Sequence, residues 1–130
     1  MAFPPIAHIA LTVTDLESSA TWYGRLLGVA PVLDEDGGGF WHKVYPLADG
    51  MLLGLHAHPE TVAGDRFDVH RPGLDHVGFA CANRDELTTW QSRLDELGIA
   101  HSGVVDAGYG SGLSFKDPDG NALEFFAPPS

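Results

Sequence analysis

Cysteine is almost missing from this chain. Cys81 is the only one in 130 residues, so no internal disulfide can form, and a reducing compartment, the cytoplasm, is the expected location. Positive charge is scarce too. Seven Lys and Arg stand against 18 Asp and Glu, for a net charge of −11, and such a surface repels phosphate backbones and anionic membranes. Nucleic acid and membrane are therefore excluded as expected partners. The opening MAFPPIAH has no signal-peptide core, and no apolar run is long enough to span a bilayer. Low-complexity segments and heptads are also lacking. What is present is 44% hydrophobic content, enough for one ordinary domain with a shared core.

The next feature is an internal repeat. His8 and His76 are 68 residues apart, and so are His56 and Glu124; the same shift pairs Trp22 with Trp90, Arg25 with Arg93 and Leu26 with Leu94. Residues 6–57 and 74–125 thus read as two copies of one unit, joined by a polar linker at 58–73 that Pro and Gly interrupt. A metal bound where two related halves meet would draw equivalent side chains from each.

Each copy reads as βαβββ. In the first, IAHIALTV is a β-branched apolar run, and Thr14, Asp15 and Glu17 form a capping-box arrangement that opens a helix running to Leu27. Leu16, Ala20, Tyr23 and Leu27 make its apolar stripe, and Gly28 suits a left-handed stop. VAPVLDE, FWHKVYPLA and MLLGLHAH follow as strands, separated by Asp36-Gly37-Gly38-Gly39 and Asp49-Gly50. In the second copy LDHVGFACA is the first strand. Asn83 and Glu86 open a helix with Leu87, Trp90, Leu94 and Leu97 inward, ending at Gly98. Strands follow at HSGVVDA, GLSFKD and NALEFFA, with turns at 108–112 and at Asp117-Pro118-Asp119-Gly120. The expected fold is α+β: two tandem βαβββ modules (about 6–57 and 74–127) forming a cup-shaped, mostly antiparallel sheet with helices on its outer face.

Strand alternation assigns faces. Ile9, Leu11 and Val13 oppose His8, Ala10 and Thr12, while Val77, Phe79 and Cys81 oppose His76, Gly78 and Ala80. In the last strands, Leu55 and Ala57 oppose Gly54, His56 and His58, and Leu123 and Phe125 oppose Ala122, Glu124 and Phe126. His8, His56, His76 and Glu124 all fall on the face that does not back onto a helix. Unpaired polar groups gathered there are costly, and a divalent cation compensates them. Three imidazoles and a carboxylate suit zinc, nickel, cobalt or iron better than magnesium. His58, on the same face, is the alternative to His56; His42, His70 and His101 read as ordinary hydrogen-bonded histidines. Trp41, His42, Tyr45 and Phe126 are candidates to line the site.

HIALTVTDLESSATWYGRLLG, LDHVGFA and FKDPDGNALEFF together resemble the vicinal oxygen chelate superfamily, which includes glyoxalase I, extradiol dioxygenases, fosfomycin-resistance enzymes and bleomycin-resistance proteins. The similarity covers nearly the whole chain, and DPDGN leading into a strand that ends in Leu-Glu is its most specific part. The resemblance implies His8 and His76 as first-strand metal ligands and Glu124 as the final-strand ligand. It also implies a small-molecule substrate and a homodimer, with the cup formed by the modules of one chain or of two partners. His56 stands where a glyoxalase-like pattern has an acid, so Glu124 would serve as both ligand and catalytic base. His8, His76 and Glu124 alone match the two-histidine, one-carboxylate triad that holds ferrous iron in extradiol dioxygenases. The expected function is metal-dependent stabilisation of an enolate or oxyanion in a lyase, isomerase or dioxygenase step. A fosfomycin-type transferase ranks low because the basic residues are dispersed. The alternative is a non-catalytic, bleomycin-resistance-like protein that sequesters a cationic small molecule, which the net charge of −11 suits.

Overall fold

Both helices begin where a short polar side chain closes the first turn. In the computed structural model, which describes residues 1–62 and 64–130, Asp15 is the N-cap of α1 (Leu16–Leu27) and accepts a hydrogen bond from the Ser18 amide at 3.1 Å. The cap falls one residue later than a Thr14–Glu17 box would place it, and Glu17 instead reaches Lys43 at 3.4 Å. Gly28 closes α1 at φ 70°, a conformation that glycine adopts without steric cost. Asn83 caps α2 (Arg84–Glu96) by accepting from the Glu86 amide, and the Glu86 carboxylate accepts in turn from the Ala82 amide at 2.9 Å. The C-terminus of α2 closes with Ile99 N donating to Leu94 O and Gly98 N to Asp95 O, the paired bonds of a Schellman motif.

The chain divides into two units, Met1–Asp65 and Arg66–Ser130, and the boundary lies inside the polar 58–73 stretch. The first unit holds β1 (His8–Thr12), α1, β2 (Leu33–Asp36), β3 (Trp41–Pro46), a 3₁₀ turn at 48–50 and β4 (Leu52–Ala57). The second holds β5 (Val77–Ala80), α2, β6 (His101–Ala107), β7 (Gly110–Lys116) and β8 (Ala122–Ala127). Each therefore has the expected βαβββ order. The sheets match in topology: β1-β4-β3-β2 in the first and β5-β8-β7-β6 in the second. In each, the first and last strands pair in parallel and the other two pairings are antiparallel.

Alternation sorts the faces as expected. Leu11, Val13, Leu53 and Leu55 are buried together with Tyr23 and Leu26 of α1, whereas His8, Ala10 and Thr12 are exposed. The buried line of α1 is Ser19, Tyr23 and Leu26, turned slightly from the expected Leu16, Ala20, Tyr23, Leu27 stripe; Leu16, Ala20 and Leu27 are only half-buried at its margin. Tyr45 explains part of the rotation, because its hydroxyl reaches across to donate to Ala20 O at 3.2 Å. In the second unit Leu87 and Leu94 of α2 are buried with Leu113, Phe115, Leu123 and Phe125, and the Trp90 ring stacks on Phe125 at 4.4 Å. Cys81 belongs to this core, where burial, with help from Glu86, pushes its thiol pKa up.

The DPDGN segment is a self-contained turn. Asp117 is buried, and its carboxylate accepts from the Asp119 amide, the Asn121 amide and the Asn121 side chain at 2.8–2.9 Å. Phe67 N donates to Asp119 O, which ties the start of the second unit to this turn. Several boundaries differ from expectation: β2 begins at Leu33 and not Val29, β5 at Val77 and not Leu74, and β7 at Gly110, so only Gly108 and Tyr109 turn, and Gly110 to Gly112 pair with β6 and β8.

Candidate metal and substrate site

In the second unit β5 places His76 just before its first residue and β8 places Glu124 at its third, on the face away from α2. His76 Nε2 lies 3.8 Å from Glu124 Oε2. Two donors bound to one ion at about 2.1 Å each would stand roughly 3–3.5 Å apart, so this pair is close to a chelating separation. The other ring nitrogen, Nδ1, is 2.7 Å from Asp75 Oδ1. A carboxylate on the far side of the imidazole orients the ring and keeps Nε2 free to ligate. Small neighbours make room for the acid. Gly78 is the register partner of Glu124 on one side, and on the other a Cβ at Gly112 would come within 3.2 Å of Glu124 Oε1. Beside the pair opens a pocket of about 340 Å³, walled by Phe126 and Tyr109.

The first unit carries histidines instead. His56 and His42 are register partners across β4 and β3, their rings edge to face with centroids 5.3 Å apart. Phe40 stacks on His56 at 4.6 Å, and His58 leans on Phe40 at 5.2 Å. Burial lowers the pKa of His56, with smaller contributions from His42, His58 and His8, which favours the neutral ring that a metal requires. His42 departs from the ordinary reading given to it above: its Nε2 is buried without a hydrogen-bond partner among the described residues, 4.0 Å from Glu35 Oε1. His70 and His101 keep that reading, paired with Asp68 and Asp95. Trp41 and Tyr45 do not line this face. Trp41 donates to Asp34 and Tyr45 to Ala20 O, both on the helix side, because odd and even residues of β3 point opposite ways.

Register also corrects the equivalence that singled out His56. Ala10 pairs with Gly54 and Gly78 with Glu124, and Ala10 and Gly78 are 68 residues apart whereas Gly54 and Glu124 are 70 apart. The structural counterpart of Glu124 is thus Gly54, and that of His56 is Phe126. Two residues accumulate between the first strand and the last, and a constant shift along the sequence passes over them. The His56 ring nevertheless folds back over the vacant seat: a Cβ at Gly54 would lie 3.4 Å from His56 Nε2.

Among the described residues, no three of His, Cys, Asp and Glu converge at metal-ligand spacing; the donors come as the His76–Glu124 pair and the first unit's histidines. Their chemistry fits a borderline divalent ion. His76 is oriented by Asp75, Glu124 is set among small residues, and His56 is favoured in its neutral form.

The model of the Glyoxalase/Bleomycin resistance protein/Dioxygenase superfamily matches residues 5–125. The chain belongs to this superfamily. It is 32% identical over 124 residues to a catechol-2,3-dioxygenase of Bacillus subtilis (strain 168), a match that spans 94% of this chain and 41% of that protein. It is 31% identical over 125 residues to a trivalent organoarsenical cleaving enzyme of Bacillus sp. (strain MD1), across 92% of this chain and 71% of the relative. The chain thus spans less than half the length of the first relative. Among solved structures, a glyoxylase/bleomycin resistance protein/dioxygenase domain from Frankia sp. EAN1pec matches with TM-score 0.88 and 29% identity, covering 99% of this chain and 95% of that one. The fosfomycin resistance protein FosX from Listeria monocytogenes shares the fold, with TM-score 0.74 at 18% identity, over 98% of this chain and 94% of its own. No helix among the described residues is long and apolar enough to cross a membrane.

Proposed function

We propose that this superfamily member is a metal-dependent enzyme acting on a small molecule with two neighbouring oxygens, in which His8, His76 and Glu124 are the ligand triad and His56 is the fourth donor. The observation that carries the reading is the His76–Glu124 pair at 3.8 Å, with Asp75 fixing the ring from behind. When bound, a zinc, nickel, cobalt or iron ion supplies Lewis-acid stabilisation of an enolate or related oxyanion and, as iron, access to oxygen chemistry. Glu124, held among glycines at the wall of the pocket, is the base that accepts a substrate proton. His56, whose burial favours the neutral form and whose ring folds over Gly54, offers a third imidazole nitrogen able to ligate or accept a proton. The two-histidine, one-carboxylate set and the named dioxygenase relative favour a lyase, isomerase or dioxygenase step over phosphonate transfer. The protein is proposed to work as a homodimer in the cytoplasm.

The test is a turnover screen of catechols, glutathione hemithioacetals and organoarsenicals with Fe(II), Ni(II), Co(II) and Zn(II) in turn. One metal–substrate pair is expected to turn over, and Glu124→Gln should reduce that rate at least about a hundredfold, since both a ligand and a base are lost. Full activity in Glu124→Gln would reject the assignment. Tight binding of cationic drugs by a protein that takes up none of these metals would favour sequestration instead.

A further inference from the structure

We infer that the first unit holds a divalent-ion site of its own, in which His42 and Glu35 are the anchoring ligands, His56 completes the set and Cu(II) is the favoured ion. The inference goes beyond the function proposed above and shares only His56 with it. Strand register carries the first part of the case. Glu35 pairs with His42 across β2 and β3, and His42 pairs with His56 across β3 and β4, so a carboxylate and two imidazoles form one row on the face away from α1. Directly opposed residues of antiparallel strands hold their Cβ atoms about 4.5–5.5 Å apart, within reach of a shared ion.

Side-chain geometry carries the second part. His42 Nε2 is buried with no hydrogen-bond partner among the described residues, which costs free energy until something meets that nitrogen. Glu35 Oε1 is 4.0 Å away, too far for a hydrogen bond and almost as near as Glu124 is to His76. An ion bound at about 2.1 Å from each would satisfy both groups. The His42 and His56 rings stand 84° apart in plane with centroids 5.3 Å apart. Two imidazoles on one tetrahedral ion place their ring centres about 5 Å apart, so this separation already suits a common ligand sphere. No three donors stand at ligand spacing among the described residues, and the movements that remain are small. The Glu35 side chain is 60% exposed and free to swing inward, and Gly54 has no side chain to pin the His56 ring. Phe40 stacks on His56 and meets His42 edge to face, and a side chain at Gly37 would overlap its ring. That apolar cover limits water at the nitrogens and strengthens their attraction for a cation. Two imidazoles and a carboxylate bind Cu(II) most tightly of the first-row divalent ions; Co(II), lower in that order, is held too weakly here to survive removal of excess metal.

Cu(II) titrated into the full-length chain, followed by calorimetry and by EPR of the bound ion, tests the site. In Glu124→Gln, which lacks the acid of the second unit, one Cu(II) per chain is still expected to bind, with nitrogen hyperfine coupling from two imidazoles. His42→Ala and Glu35→Gln should each weaken this binding at least about tenfold, the second through an exposed residue whose loss leaves the fold intact, while the exposed His70→Ala should leave it unchanged. The inference is overturned if Glu124→Gln takes up no Cu(II), or if either His42→Ala or Glu35→Gln binds it as the unmodified protein does. Two ions retained in both His76→Ala and Glu124→Gln, with one lost in His42→Ala, would leave this site standing and remove the His76–Glu124 ligand assignment instead.

Discussion

β4 and β8 pair with the first strands of their units in the same parallel arrangement, yet they carry different chemistry at matched positions. Where the second unit has Glu124 followed by Phe126, the first has Gly54 followed by His56. The acid of one unit is matched by a vacancy in the other, and the aromatic wall of one by an imidazole. The supporting residues diverge in the same way: Asp75 orients His76, but Ala7 precedes His8, and the glycine that clears space for Glu124 corresponds to His42. A duplicated fold can thus preserve its packing while the face of each unit away from its helix specialises, one carrying a carboxylate beside a pocket and the other a histidine cluster.

The largest effect that would break this comparison lies in the packing the units share. Leu26 and Leu94 occupy equivalent helix positions and are almost fully buried, so Leu26→Ala and Leu94→Ala should each cost about 2–5 kcal/mol in urea unfolding. Similar losses would support equivalent cores; a negligible loss in one would show that the units no longer pack alike. A smaller effect separates the half-sites. Asp75→Ala should weaken metal binding about 10–100-fold, because His76 loses the group that orients it, and unchanged affinity would deny Asp75 that role.

The smallest concerns acid sensitivity. Asp106 on β6 accepts hydrogen bonds from Arg84 and Ser111, which hold its carboxyl down at about 2. Its pKa is lowered on folding, so the stabilisation is fully present above the ordinary carboxylate value near 3.8 and fades as pH falls through about 2. Arg84→Gln should return the Asp106 titration, followed by NMR, towards 3.8; an unmoved titration would show that Arg84 is not the main cause.

Much of this was legible in the residues alone. Capping side chains, 3.6-residue and two-residue periodicities, and turn residues located both helices and all eight strands to within a few positions, because each is a local preference that the tertiary structure left intact. The faces of His8, His56, His76 and Glu124 followed from alternation. Pairing His56 with Glu124 failed because equivalence is set by hydrogen-bond register, and two added residues between strands are invisible to a constant shift. Trp41 and Tyr45 were placed on the wrong face by ignoring their odd spacing from His42. Asp75 was missed, although an acid directly before a candidate ligand histidine is a signal the sequence offered. The His42 nitrogen that has no hydrogen-bond partner among the described residues has no sequence signature, since its surroundings depend on which strands lie side by side.

Metal stoichiometry tests the central assignment most directly. Protein reconstituted with Co(II) and freed of excess metal should retain one ion per chain by elemental analysis, and His8→Ala, His76→Ala and Glu124→Gln should each lose it, while His56→Ala should hold it more weakly. Full retention of the ion in His76→Ala or in Glu124→Gln would contradict the account.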